Sequence, residues 1–191
     1  MILKLKQGVE KTMIHLKPIH KTYTLFILTH NNKPIYTDTS LTEYEFGDKL
    51  YPIVRAIDKE TFEVFTEVNF RPGKNYLSYF KIRRDKIIDR QKLPTFISKA
   101  ANLDNDDTLE YAGFWDGTET WGENNSLTGY SPIIYYEIKP DGLHIDSLLT
   151  IDKNKSIYGS FKGFEYNQKF EMPVSVKVKF NQEIERMANV R

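Results

Sequence analysis

Along the first third of the chain, polar and apolar side chains alternate with the period of a β-strand. Residues 2–7 (ILKLKQ) and 12–17 (TMIHLK) each place one apolar face opposite one polar face, and Gly8 between them predicts a hairpin. A stronger strand is expected at 22–30 (TYTLFILTH), whose middle is apolar on both faces, the mark of a central position. Asn31-Asn32 signals a turn, and Pro34-Ile35-Tyr36 opens the return strand. Residues 50–57 and 61–70 flank the charged turn Asp58-Lys59-Glu60, with Phe62, Val64 and Val68 on one face of the second. Residues 75–83 and 86–89 form the next hairpin.

Further strands are expected at about 108–114, 132–139, 142–151 and 155–166, with Pro140-Asp141-Gly142 as a strong turn. Residues 173–180 (PVSVKVKF) alternate perfectly and predict a strand presenting Val174, Val176, Val178 and Phe180 on one side. Residues 182–190 read as a short C-terminal helix, with Asn181 as N-cap and Ile184 and Met187 at helical spacing.

Two hairpins resemble each other. Tyr79–Ile87 aligns with Tyr135–Leu143 at a constant offset, and upstream Ile57–Val64 resembles Leu103–Tyr111 with one residue inserted. A third hairpin, Phe26 to Ile35, fits more weakly. The expected architecture is therefore a single, mainly β domain over 1–191, built of antiparallel sheets from repeated hairpins, with duplicated units near 50–95 and 100–150. Repeated strand pairs of this length point to a propeller-like fragment, to an oligomer that closes between chains, or to a β-sandwich or barrel.

Composition narrows the function. The 27 basic and 26 acidic side chains nearly cancel, which argues against the basic footprint of a nucleic-acid binder. No apolar run reaches the ~20 residues of a membrane span. Cysteine is absent, which excludes disulfides and thiolate chemistry. Lysines interrupt the apolar N-terminal patch, so it does not read as a signal peptide. The expectation is a cytoplasmic protein, or an extracytoplasmic one (periplasm or cell surface) whose export signal has been removed.

The chemistry concentrates in Asn102–Gly122 (NLDNDDTLEYAGFWDGTETWG). Asn102, Asp104 and Asp106 put oxygen ligands at every second position of a tight turn. Glu110 can add a carboxylate and Thr108 a main-chain carbonyl, a set that suits Ca²⁺. An EF-hand is excluded, because its twelfth position would be Gly113. The run Asn102–Glu110 resembles the short calcium loops (D-x-D-x-D-G-x-x-D/E) of FG-GAP and VCBS-type β-propeller repeats over about ten residues. It departs at Asn102, which replaces the first acid, and at Asp107, which replaces the glycine. The resemblance implies a weak Ca²⁺ site at the start of a strand. Read without it, the same residues make an acidic hairpin turn that hydrogen-bonds its own backbone.

Downstream, Trp115, Asp116, Glu119, Trp121 and Tyr130 lie in a glycine-punctuated stretch. Flat rings beside carboxylates and amides suit a glycan or a protein partner, and loops on a rigid sheet commonly carry such function. Asp116, Glu119 and Glu123 could form the carboxylate pair of a carbohydrate-active hydrolase. The four histidines have no zinc-hydrolase spacing, and no nucleophile elbow, phosphate loop or dinucleotide fingerprint is present. The preferred reading is a non-catalytic extracytoplasmic β module that binds a glycan or protein partner, with Ca²⁺ as a stabilising ion. A hydrolase and a cytosolic structural or assembly subunit are the alternatives.

Overall fold

The structure is a computed structural model that describes residues 2–6, 21–23, 25–30, 33–38, 43–46, 50–70, 73–115 and 120–189. The strand expected at 12–17 lies outside the described residues. The chain divides into two compact units, Met1–Leu93 and Pro94–Arg191.

The first unit is all β: β1 (Ile2–Lys6), β2 (Lys21–Tyr23), β3 (Leu25–His30), β4 (Lys33–Asp38), β5 (Glu43–Phe46), β6 (Ile53–Ala56), β7 (Thr61–Asn69), β8 (Tyr76–Arg83) and β9 (Lys86–Leu93). One sheet runs β1-β3-β4, and a larger one runs β2-β5-β7-β8-β9 with β6 also paired to β7. Every pairing is antiparallel. The two sheets meet through Phe26 and Leu28 of β3 and Val64, Val68, Phe80 and Ile82 of β7 and β8, all fully or almost fully buried. Alternation explains this layer: Val64 pairs with Phe80 and Val68 with Tyr76, so their side chains share one face. The opposite face of β7 is buried as well, and it carries Phe65 and the carboxylate of Glu63.

The second unit contains β10 (Thr95–Phe96), β11 (Glu110–Phe114), β12 (Thr120–Trp121), β13 (Leu127–Tyr130), β14 (Ile134–Lys139), β15 (Gly142–Ile145), α1 (Ser147–Tyr158), β16 (Asn167–Pro173) and α2 (Val176–Ala188). Its sheets run β10-β11-β14-β15 and β12-β13-β16, again antiparallel. The helices cover one face of the first of these sheets. Leu149 and Ile157 of α1 and Met187 of α2 pack with Ala112, Ile133, Tyr135 and Leu103. The protein is thus mainly β, with antiparallel sheets and a C-terminal helix.

Three expected strands are corrected. Residues 147–158, divided between the strands expected at 142–151 and 155–166, form α1. Asp146 caps it by accepting from the Leu149 N–H at 2.8 Å, and Gly159 (φ 75°) ends it in the left-handed conformation. The buried face of α1 is partly polar. Asn154 accepts from the Ile133 N–H (3.0 Å) and donates to the Ile133 carbonyl (2.7 Å), while Thr150 Oγ1 accepts from the Tyr135 N–H (3.0 Å). Helix side chains here satisfy backbone groups at the start of β14, so the segment has no simple apolar stripe to mark it as helical.

The strand expected at 173–180 is mostly helix. Val174 and Val178 are exposed, whereas Phe180, Ile184 and Met187, at i, i+4 and i+7, pack on the core. The helical period of those three outweighs the local Val–Lys alternation. α2 consequently starts at Val176, and Asn181 lies inside it rather than at its N-cap.

The two similar hairpins, β8–β9 and β14–β15, each turn through two residues, but they belong to different sheets. Their turns also differ. Arg84 takes a positive φ (56°) in the first, whereas in the second the positive φ falls on Gly142, after the Pro140-Asp141 loop.

Candidate functional site

The acidic turn is a closed loop. Ala101 and Glu110 exchange both backbone hydrogen bonds, N–H to carbonyl, at 3.0 and 2.9 Å. Between these tied ends Leu103 buries its side chain in the core of the second unit and anchors the loop. Strand alternation then decides where Glu110 goes. It shares its face of β11 with the fully buried Ala112, and its own side chain is fully buried.

The remaining polar groups of the loop close on one another. Asn102 Oδ1 accepts from the Asn105 N–H at 2.6 Å, and Asn102 Nδ2 donates to the Asp106 carbonyl. Asp104 Oδ1 accepts from the Asp106 N–H at 3.2 Å. The left-handed residue is Asn105 (φ 68°), two positions before Asp107, where the calcium-loop pattern would place its glycine. Asp107 is exposed.

Three carboxylates converge. Ligand oxygens of Asp104, Asp106 and Glu110 lie within 4.8 Å of one another. Glu110 Oε2 accepts from the Leu103 N–H at 2.7 Å. Thr108 Oγ1 stands 2.6 Å from Asp106 Oδ1 and 2.9 Å from Glu110 Oε1, and Asp106 Oδ1 also accepts from the Thr108 N–H at 2.6 Å. A hydroxyl carries one proton and can donate to only one of these carboxylates. The other close oxygen pair needs a second positive element, either a proton on Glu110 or a cation between the acids.

The electrostatics agree with that need. Burial, joined by the charges of Asp104 and Asp106, pushes the Glu110 carboxyl above its ordinary value, against the hydrogen bonds from Leu103 and Thr108. The hydrogen bonds from the Thr108 hydroxyl and N–H hold Asp106 below its ordinary value. Among the described residues, none of the three carboxylates forms an ion pair.

Of the five residues expected to hold a metal, the structure brings Asp104, Asp106 and Glu110 together. Asn102 spends its amide closing the loop, and Thr108 contributes its hydroxyl between the acids. Leu103, the anchor, was not among the expected site residues. The signal for it was present: a lone apolar residue among six polar ones, with the Glu110/Ala112 alternation pointing the acid inward.

The aromatic candidates are scattered. Trp115 is half-buried, and its carbonyl accepts from Ser131 Oγ at 3.3 Å. Trp121 is half-buried on β12, and its Nε1 donates to Glu171 Oε1 of β16 at 3.2 Å. Tyr130 is fully buried: its hydroxyl donates to the Gly163 carbonyl at 3.0 Å, and its ring packs on Tyr158. Asp116 and Glu119 lie outside the described residues. Glu123 is exposed in a single 3₁₀ turn, Glu123–Asn125. His144 pairs with Asp141 at 2.8 Å on the surface. No family model matches the chain, and comparisons with curated proteins and with solved structures find no match.

Proposed function

We propose that this chain is a non-catalytic extracytoplasmic β module whose Asn102–Glu110 loop takes a Ca²⁺ ion, and that it presents its tryptophan-bearing segment to a glycan or protein partner. One observation supports the ion above all others. A fully buried Glu110 shares a single hydroxyl proton with Asp106, beside Asp104, without an ion pair among the described residues. A hard divalent cation answers that arrangement, because it takes several carboxylate oxygens in a tolerant geometry. Asp104 and Asp106 are exposed, which leaves the ion room for water ligands. Loops of this kind in extracellular modules bind at ~10⁻⁴–10⁻³ M, so the ion would be held where free Ca²⁺ is millimolar.

The test is thermal unfolding of the whole chain in EDTA, in 5 mM Mg²⁺ and in a Ca²⁺ series up to ~10 mM, tenfold above the weak end of that range. Ca²⁺ is expected to raise the midpoint in a saturable way, Mg²⁺ to do so much less, and Asp104→Ala to abolish the increment. A midpoint unchanged across the series would leave the loop as a self-bonded acidic turn with a protonated Glu110. The partner half of the proposal is tested separately, by glycan-array binding of the wild type and of Trp121→Ala. Binding unaffected by that substitution would remove the tryptophan segment from the contact.

A further inference from the structure

The first unit offers a second surface, unrelated to the acidic loop. Strand β9 is the last strand of its sheet, eight residues long, and among the described residues no strand pairs with its far side. Five of its side chains are exposed: Lys86, Ile88, Arg90, Gln91 and Lys92. An open edge of this length presents a row of backbone donors and acceptors to any extended chain.

Its cations are held in place. The Arg90 guanidinium lies 4.8 Å from the centre of the Tyr36 ring and 5.6 Å from that of Phe80. Lys92 Nζ lies 4.4 Å from the Tyr76 ring and 5.4 Å from Phe70. Among the described residues, Lys86, Arg90 and Lys92 form no ion pair. The nearest acid on the strand, Asp89, accepts a hydrogen bond from Gln91 at 2.7 Å. The ring contacts fix two long side chains beside the edge, so less freedom is lost when an anion reaches them.

These two features select the occupant. A second copy pairing antiparallel through the same edge would bring the Lys86, Arg90 and Lys92 cluster of each copy beside that of the other, for instance Lys86 opposite Lys92, and like charges opposite each other destabilise a strand pair. Base stacking is also unfavoured, because the Tyr36, Phe80, Tyr76 and Phe70 rings already carry a cation each. We propose that β9 accepts an extended acidic peptide as an added strand, its backbone paired to the edge and its carboxylates set on Arg90 and Lys92. Arg90 suits this best, because a guanidinium grips a carboxylate with two parallel hydrogen bonds.

The probe is a fluorescein-labelled acetyl-(Thr-Glu)₄-amide, titrated against the whole chain by fluorescence anisotropy in Ca²⁺ and again in EDTA. Hydrogen exchange follows residues 86–92. Saturable binding is expected in both buffers, with slowed exchange along β9. Arg90→Glu/Lys92→Glu should weaken binding about tenfold or more, since two favourable pairs become repulsions. The (Thr-Lys)₄ peptide should not bind. The same acidic peptide N-methylated at every residue keeps its charge but has no backbone donor on either edge, so it should fail on the unaltered protein. Equal binding of the methylated peptide, protection outside β9, or no binding by millimolar peptide would each overturn the proposal. Because both buffers are used, a failure of the Ca²⁺ reading leaves this result intact.

Discussion

Among the described residues two glutamates, one in each unit, are completely buried, and they are treated in opposite ways. Glu63 on β7 meets a counter-charge: Arg55 Nε donates to its Oε2 at 2.6 Å, the Arg55 guanidinium pairs with the same oxygen, and Tyr79 donates to Oε1 at 2.8 Å. Cross-strand register creates the pair, since Arg55 on β6 stands directly opposite Glu63. Glu110 on β11 is equally buried, yet it meets no counter-charge among the described residues: its polar neighbours are two aspartates, the Leu103 N–H and a single hydroxyl. Removing a carboxylate from water is costly in both places. At Glu63 the protein supplies the compensation itself. At Glu110 the compensation has to arrive from solvent, as a proton or an ion. Burial alone therefore does not separate the two carboxylates; the charge of their neighbours does.

The largest expected effect tests the closed site. Glu63→Ala removes the carboxylate that pairs with Arg55 and that accepts from the Tyr79 hydroxyl. Breaking a buried pair typically costs ~3–5 kcal/mol, and the partial exposure of Arg55 puts this one near the lower end, about 3 kcal/mol. Glu110→Gln should do the reverse in EDTA, raising stability by roughly 1 kcal/mol because it removes an uncompensated buried charge. Denaturant unfolding of both variants at pH 7 reads the signs directly. Two losses of similar size would erase the distinction between the sites.

Ca²⁺ comes next. An ion that binds only the native state adds RT ln(1 + [L]/Kd), about 1.4 kcal/mol at tenfold excess. The increment belongs to the acidic loop and not to Glu63, so Glu63 variants should keep it while Glu110→Gln, like Asp104→Ala, loses it. An increment surviving in Glu110→Gln would move the ion elsewhere.

Acid sharpens the comparison within the second unit. Glu110 is raised above 4.5, so its contribution is fully present below that pH and is lost as pH rises through its folded value. Glu183 on α2 runs the other way. Burial pushes its carboxyl up, but hydrogen bonds from Arg186 and the Tyr135 hydroxyl outweigh that and bring it below 4.5. Its contribution is present above pH 4.5 and is lost as pH falls through its folded value. In EDTA, Glu110→Gln should therefore flatten the decline in stability above pH 4.5, and Glu183→Gln should flatten the decline below it. Stability–pH curves measured with both variants decide this, and overlapping curves for the two would refute the opposed signs.

The sequence exposed these regions unevenly. Strand alternation made the core of the first unit readable, because Val64 and Val68 face one way by their spacing alone. Three of the five oxygen-bearing residues picked out in the acidic loop, Asp104, Asp106 and Glu110, do converge, whereas the Asn102 amide closes the loop instead. Glu63 was not readable, since its partner Arg55 is found only once β6 and β7 are in register. The helices were obscured for two different reasons. In α1 the buried face includes Thr150 and Asn154, which bond to backbone and weaken the apolar stripe. In α2 the Val–Lys alternation imitates a strand until Phe180, Ile184 and Met187 are counted together. The scattering of Trp115, Trp121 and Tyr130 could not be read either, because loop residues have no period to reveal which way they point.

The smallest effect probes the shared proton. Thr108→Val deletes the hydroxyl between Asp106 and Glu110 but leaves the Thr108 N–H on Asp106 Oδ1. In EDTA this should cost about 0.5–1 kcal/mol, the net worth of one hydrogen bond. Thr108→Ser should recover most of it. With Ca²⁺ saturating, the cost should shrink, because an ion on Glu110 and Asp106 supplies the positive charge that the hydroxyl proton provided in its absence. A cost that instead grows on adding Ca²⁺ would mean that the hydroxyl oxygen itself ligates the ion. A cost indifferent to Ca²⁺ would separate Thr108 from the ion and reduce its hydroxyl to an ordinary turn contact, leaving only the two aspartates to distinguish the surroundings of Glu110 from those of Glu63.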